Sequence, residues 1–121
     1  MIDELSWFIG YYEGEGTIVS PPSGGPRVRM RLRTTDKDIA LRVCKFLKIK
    51  KPYKITRTRK DGTKKEYIPD HYKDMWEITK TGGCKSGFLF ELYQKMYPHL
   101  SSHRREQIDN TYKKAIEKIK L

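Results

Sequence analysis

Residues 5–16 read LSWFIGYYEGEG, and the fold turns on what this stretch does. Leu5, Trp7, Phe8, Ile9, Tyr11 and Tyr12 make an apolar helix in which Gly10 and Gly14, four apart, share one face. Each glycine weakens a helix by roughly 1 kcal/mol against alanine. Close approach of a second helix, backbone against backbone, is what returns that cost, as in small-xxx-small packing. Gly16 and the β-branched run Thr17-Ile18-Val19 end the helix. Glu15 therefore sits in the last turn, facing the negative end of the helix dipole. A metal cation at that end reverses the unfavourable sign; a solvated glutamate closing an ordinary amphipathic helix is the plain alternative.

The 121 residues suit one domain with a modest core, and the net charge is +11 with a pI near 9.7. Residues 1–26 carry four acids (Asp3, Glu4, Glu13, Glu15) and no Lys or Arg. All 26 basic residues follow, against 11 acids. An acidic first element ahead of a strongly basic body points to a polyanion-binding surface around a carboxylate centre. No apolar run has membrane length, and no secretory leader is apparent. Cys44 and Cys84 lack CxxC spacing, so they read as reduced thiols of an intracellular, non-secreted protein. His71, His99 and His103 make no zinc pattern.

Downstream, residues 17–21 read as a short strand, and PPSGGP at 21–26 is a loop dense in breakers. Arg27-Val28-Arg29-Met30-Arg31-Leu32-Arg33 has period two throughout. Val28, Met30 and Leu32 share one face and four arginines the other, as in an antiparallel sheet with one solvated face. Four like charges in register repel, so this face is matched to phosphates and guanine edges. Thr35-Asp36-Lys37-Asp38 looks like a helix start, followed by Ile39, Val43, Phe46 and Leu47 on one stripe. Residues 53–60 alternate again, with Tyr53 and Ile55 expected inward and Lys54, Thr56 and Thr58 outward. Asp61-Gly62 marks a turn, and residues 60–74 form a long hairpin or loop. Residues 72–79 give the next strand, with Trp76 and Ile78 inward and Met75, Glu77 and Thr79 outward. Gly82-Gly83 ends the sheet. A helix over about 86–97 has Phe88, Leu89, Leu92, Tyr93 and Met96 on its core side, and Pro98 stops it. The last helix starts near Ser102, with Ile108, Tyr112, Ala115, Ile116 and Ile119 at helical spacing.

Phe8 to Gly16, FIGYYEGEG, resembles the LAGLIDADG motif of homing endonucleases, with Gly10, Gly14, Glu15 and Gly16 at its small, small, acidic and glycine positions. The order helix, hairpin, helix, hairpin, helix, helix is similar to the family's αββαββα unit with an extra C-terminal helix. PHLSSHRREQ, residues 98–107, resembles its final-helix entry, where a basic residue (Arg104) stands three before a glutamine (Gln107). The resemblance implies an α+β fold with an antiparallel four-stranded DNA-binding saddle, and a homodimer joined by its motif helices through Phe8, Gly10, Tyr11 and Gly14. It places Glu15 and Gly14 at magnesium, with manganese able to substitute. It places Arg104 opposite the scissile phosphate as a charge stabiliser, a solvated arginine at a helix start being the plain alternative, and Thr34 and Asp36 as water-ordering groups. Glu13, two residues from Glu15 and so on the helix's other side, has a capping or structural role; Tyr11 and Tyr12 pack into the subunit's own core.

The function expected is site-specific double-strand DNA cleavage with staggered cuts, by metal-dependent phosphodiester hydrolysis at a pseudo-palindromic target. Target reading falls to Arg27, Arg29, Arg31 and Arg33, with Lys54, Thr56, Thr58, Met75, Glu77 and Thr79 in support. The alternative is a non-catalytic nucleic-acid binder on the same scaffold, an intron RNA maturase or a DNA-binding regulator. Glu15 favours the nuclease, because a pure binder has no need of a carboxylate among phosphates.

Overall fold

The computed structural model describes residues 3–21, 25–55 and 75–119. Helix α1 (Glu4–Glu15) leads to strands β1 (Thr17–Val19) and β2 (Arg27–Thr34), then α2 (Lys37–Leu47). Strands β3 (Tyr53–Ile55) and β4 (Met75–Gly83), helix α3 (Phe88–Met96), a 3₁₀ turn (Tyr97–His99) and α4 (Ser102–Glu117) complete the described chain. β1 pairs antiparallel with β2, and β3 with β4; the sheet order is β1-β2-β4-β3, which leaves β1 and β3 as edges. This is the α+β order expected from the sequence. Thr56, Thr58 and the expected 60–74 loop lie outside the described residues.

The chain divides into two compact units, residues 1–32 with 79–121 and residues 33–78, and strands β2 and β4 contribute to both. In the first unit, Asp3 caps α1 by accepting the Ser6 N–H at 3.2 Å. Phe8 and Tyr12, one turn apart, are wholly buried with Val28, Met30, Leu32, Leu89 and Met96. The Tyr12 and Tyr93 rings meet edge to face at 5.7 Å, with their hydroxyls 3.1 Å apart. Tyr93 in turn meets Tyr112, and Tyr112 meets Phe90, each at 5.9 Å. Aromatic pairs of this geometry add about 0.5–1.5 kcal/mol each beyond area burial. Of the residues expected on the core sides of α3 and α4, Phe88 and Ile119 are exposed instead. Phe88 opens its helix, and its ring lies under the Lys80 ammonium at 5.4 Å.

Burial pushes the Tyr12 hydroxyl up to about 12, partly offset by its bond to Tyr93, and pushes Tyr93 well above the ordinary tyrosine range. An unfolded tyrosine ionises near pH 10. The stability this burial carries is therefore fully present below about pH 10 and is lost as pH rises through the folded value. For Tyr12 alone the loss is about 3 kcal/mol, and urea midpoints should fall steeply above about pH 10; Tyr12→Phe should flatten that slope.

In the second unit, the Asp36 carboxylate caps α2 by accepting the N–H groups of Asp38 (2.9 Å) and Ile39 (3.2 Å). The buried stripe is Ala40, Val43, Cys44 and Leu47, at helical spacing; Ile39 and Phe46, expected on it, are only half-buried. α2 ends at Lys48 in the left-handed region, φ 59°. That conformation suits glycine, so Lys48→Gly should raise stability by about 0.5–1 kcal/mol in chemical denaturation.

The β3–β4 register corrects one expectation. Tyr53 lies opposite Glu77, and Lys54 opposite Trp76. Tyr53 therefore shares the Glu77 face and is 67 % exposed, while Lys54 shares the Trp76 face, its ammonium 5.9 Å from that ring. Apolar-inward reading fails here because β3 is a short edge strand whose facing is set by its partner, and a one-residue offset inverts every side chain.

Candidate functional site

Around the helix α1, residues 8 and 12 point into the unit's core. Trp7, Gly10, Tyr11 and Gly14, at spacings of three and four, lie along a different stripe. The Trp7 and Tyr11 rings stack on one another, 5.5 Å apart and within 5° of parallel. A Cβ built on Gly10 or Gly14 would meet nothing within 4 Å. Nothing in the described chain thus requires glycine at either position. Phe8, expected at a subunit interface, is 0 % exposed and belongs to the chain's own core, as does Tyr12; Tyr11 is half-buried. The stripe that remains outward is Trp7, Gly10, Tyr11 and Gly14.

That stripe ends beside Glu15, an exposed carboxylate with no hydrogen-bond or ion-pair partner among the described residues. No base lies in the last turn of α1. The positive charge there comes from α4. Arg104 Nε donates to the Glu13 carbonyl at 2.9 Å and Nη1 to the Gly16 carbonyl at 2.6 Å; Nη2 makes a long contact to the Gly14 carbonyl at 3.5 Å. Nη1 also donates to Gln107 Oε1 at 3.0 Å, and the Arg104 side chain is only 16 % exposed. The helix returns the favour at its own side chain. Glu13 accepts from the Ser101 N–H at 2.5 Å and from the Ser101 hydroxyl at 2.9 Å, so a carboxylate meets the N-terminus of α4. Glu13 has the structural role its position predicted. Arg104, expected over a phosphate, donates here to the carbonyls of α1.

Gly16 fixes the exit from α1. A Cβ there would lie 2.2 Å from the Tyr12 ring, while its backbone, φ −78°, is ordinary. The requirement for glycine is purely steric.

The outward face of β2 carries Arg27, Arg29, Arg31 and Arg33, alternating with buried Val28, Met30 and Leu32. In the first unit, Arg29 Nε donates to the Thr81 hydroxyl at 3.3 Å, and Thr17 stands opposite Arg31. In the second, Arg33 pairs with Glu77 at 3.5 Å, an exposed pair worth well under about 1 kcal/mol. Thr79 is exposed and Met75 half-buried. Tyr53 and Thr81 join these faces unpredicted: Tyr53 because its strand's facing was misread, and Thr81 because the strand runs four residues past Thr79. Thr34 and Asp36 lie in the second unit, where the Thr34 hydroxyl accepts the Asp36 N–H at 3.1 Å. Both are engaged in starting α2.

No group of three or more His, Cys, Asp or Glu that could hold a metal ion occurs among the described residues. A cation at Glu15 would find one free carboxylate per chain. No helix of the described residues is long and apolar enough to cross a membrane.

The element order and the four-stranded antiparallel sheet are those of a homing-endonuclease fold. Among solved structures the chain is similar to the homing endonuclease I-CvuI, crystallised in complex with the I-CreI target (C1221) in the presence of 2 mM Mg with the DNA not cleaved. The match covers 93 % of this chain at 22 % identity and a TM-score of 0.51, and the chain spans 65 % of the length of that one. At that identity the likeness is one of fold. No protein-family model matches the sequence, and no curated protein matches it.

Proposed function

We propose that the chain is a homodimeric, divalent-metal-dependent DNA endonuclease, with α1 as its dimer contact and Glu15 as its metal ligand. The observation that carries this reading is the open Gly10–Gly14 stripe running up to a carboxylate with no partner among the described residues. Two such helices side by side would bring two Glu15 carboxylates together, with the Gly14 carbonyl adjacent. One carboxylate per chain is too little to hold a divalent ion firmly; two make a credible oxygen-donor set. Magnesium or manganese bound there supplies charge neutralisation at the scissile phosphates. The chain's own residues do the rest. Arg27, Arg29, Arg31 and Arg33 bind and orient the duplex through phosphates and base edges, with Met75, Glu77 and Thr79 on the β4 side. Tyr53 stands with them on the β3 side, and Lys54 faces the other way. Thr34 and Asp36, occupied in the α2 cap, are assigned no step.

Purified protein incubated with a DNA library containing its insertion site, in magnesium and in calcium, tests the activity. Staggered double-strand cuts in magnesium, with binding but no cutting in calcium, are expected. Tight binding of intron RNA without DNA cutting in any metal would overturn the nuclease in favour of a maturase. The interface has its own test. Sedimentation should give a dimer, and Gly14→Leu should yield a folded monomer, since a Cβ built at Gly14 meets nothing within 4 Å among the described residues.

A further inference from the structure

We infer that Arg104 is a positioning residue: it locks the last turn of α1 and thereby aims the Glu15 carboxylate, and it does not itself touch the phosphate. The inference rests on the reading of Glu15 as a metal ligand. A guanidinium has five N–H donors in a rigid fork. Four donations are made within the chain: Glu13 O, Gly14 O, Gly16 O and Gln107 Oε1. At most one donor is left for a phosphate. Swinging out would leave last-turn carbonyls without their partner in a part-buried setting.

The charges point the same way. The final turn of α1 holds Glu13 and Glu15 and no base, so the negative end of that helix would repel its own acids. Arg104 supplies the missing cation from another helix, lying 3.6 Å from Glu13 Oε2 as well. Glu13, in exchange, caps Ser101, whose hydroxyl accepts the Arg104 N–H at 3.3 Å. Gln107 braces the fork from one helical turn further, and its own amide lies 3.2 Å from the His103 ring nitrogen. The peptide on either side of Glu15 is thus tied to α4, before it through Glu13 and after it through Gly16. Glu15 alone projects from the clamp. The geometry of a two-carboxylate site depends on that direction being fixed.

The test uses Arg104→Gln and Arg104→Lys in the full chain, with three readouts. Amide hydrogen exchange at Glu15 and Gly16 should accelerate about tenfold or more in the Gln variant, with α3 amides unchanged. The slope of log DNA affinity against log salt, measured in calcium, should match the wild type. The magnesium concentration for half-maximal cutting should rise about tenfold at unchanged DNA affinity. Lysine restores charge without the fork and should remain impaired. A salt slope reduced by about one per copy, with exchange unchanged, would instead identify a phosphate contact and overturn the inference. If the wild type cuts no DNA in any metal, the nuclease reading fails while exchange and salt slope still decide the role of Arg104. Should Arg104→Gln not fold, Ser101→Ala, which removes only the hydroxyl between Glu13 and Arg104, should accelerate the same amides more mildly; no acceleration would count against the clamp.

Discussion

Glu15→Gln is expected to reduce strand cutting by about 10³-fold or more while leaving DNA affinity in calcium intact or slightly tighter. The substitution is nearly isosteric, and the carboxylate it replaces is exposed and unpartnered among the described residues, so stability should change by no more than about 0.5 kcal/mol. What it removes is charge. A dimer loses two of the negative charges that would share a cation, and an amide oxygen is a much weaker partner for magnesium. Removing those same charges eases repulsion of the DNA backbone, which is why affinity should not fall. Quantitative cleavage of a supercoiled plasmid carrying the target reads the first effect, and a calcium binding titration the second. Undiminished cutting by the variant would remove Glu15 from the chemistry.

The largest structural effect is expected at Gly16. Gly16→Ala places a methyl group 2.2 Å from Cδ2, 2.4 Å from Cε2 and 2.6 Å from Cγ of Tyr12. That ring cannot step aside. It is fully buried, packed edge to face on Tyr93 and tied to it through the hydroxyls. The backbone of Gly16 cannot move freely either, because its N–H is held by Tyr12 O at 2.8 Å and its carbonyl by Arg104. Overpacking of this kind costs typically about 1–3 kcal/mol, and two-sided confinement puts Gly16→Ala at or above about 3 kcal/mol. Urea denaturation of the variant measures it. Adding Tyr12→Leu should recover part of the loss, since the clashing ring is gone. Gly10→Ala is the contrast: nothing among the described residues lies within 4 Å of a Cβ there, so the same methyl group should be accepted by the subunit and stabilise α1 by up to about 1 kcal/mol.

The elements that the sequence specified best are those where two signals coincide. β2 was legible because its period of two is marked by both apolarity and charge, and the structure buries Val28, Met30 and Leu32 as that pattern requires. α2 was legible from its cap, and Asp36 does accept two of its first N–H groups. β3 was misread because Tyr53 and Ile55 look like an inward pair, yet an apolar residue on an edge strand carries little information about facing. The faces of α1 were only partly legible. Phe8, Tyr11 and Tyr12 are all large and aromatic, and composition does not separate the two rings that enter the core from the one that stacks on Trp7. At the candidate site, Glu15 was found from its conflict with the helix dipole. The same conflict carried a second message: a last turn with two acids and no base calls for a cation from elsewhere. Arg104 answers it across 91 residues of sequence, a separation at which spacing rules have no reach.

The proposed nuclease requires two copies of α1 to meet so that their Glu15 carboxylates share a divalent ion. Anomalous diffraction from a crystal of the protein bound to its target DNA and soaked in manganese measures this directly. The expected result is a peak on or near the two-fold axis, about 2.0–2.2 Å from a Glu15 oxygen of each copy. Manganese bound elsewhere, with the two α1 helices apart, would contradict it.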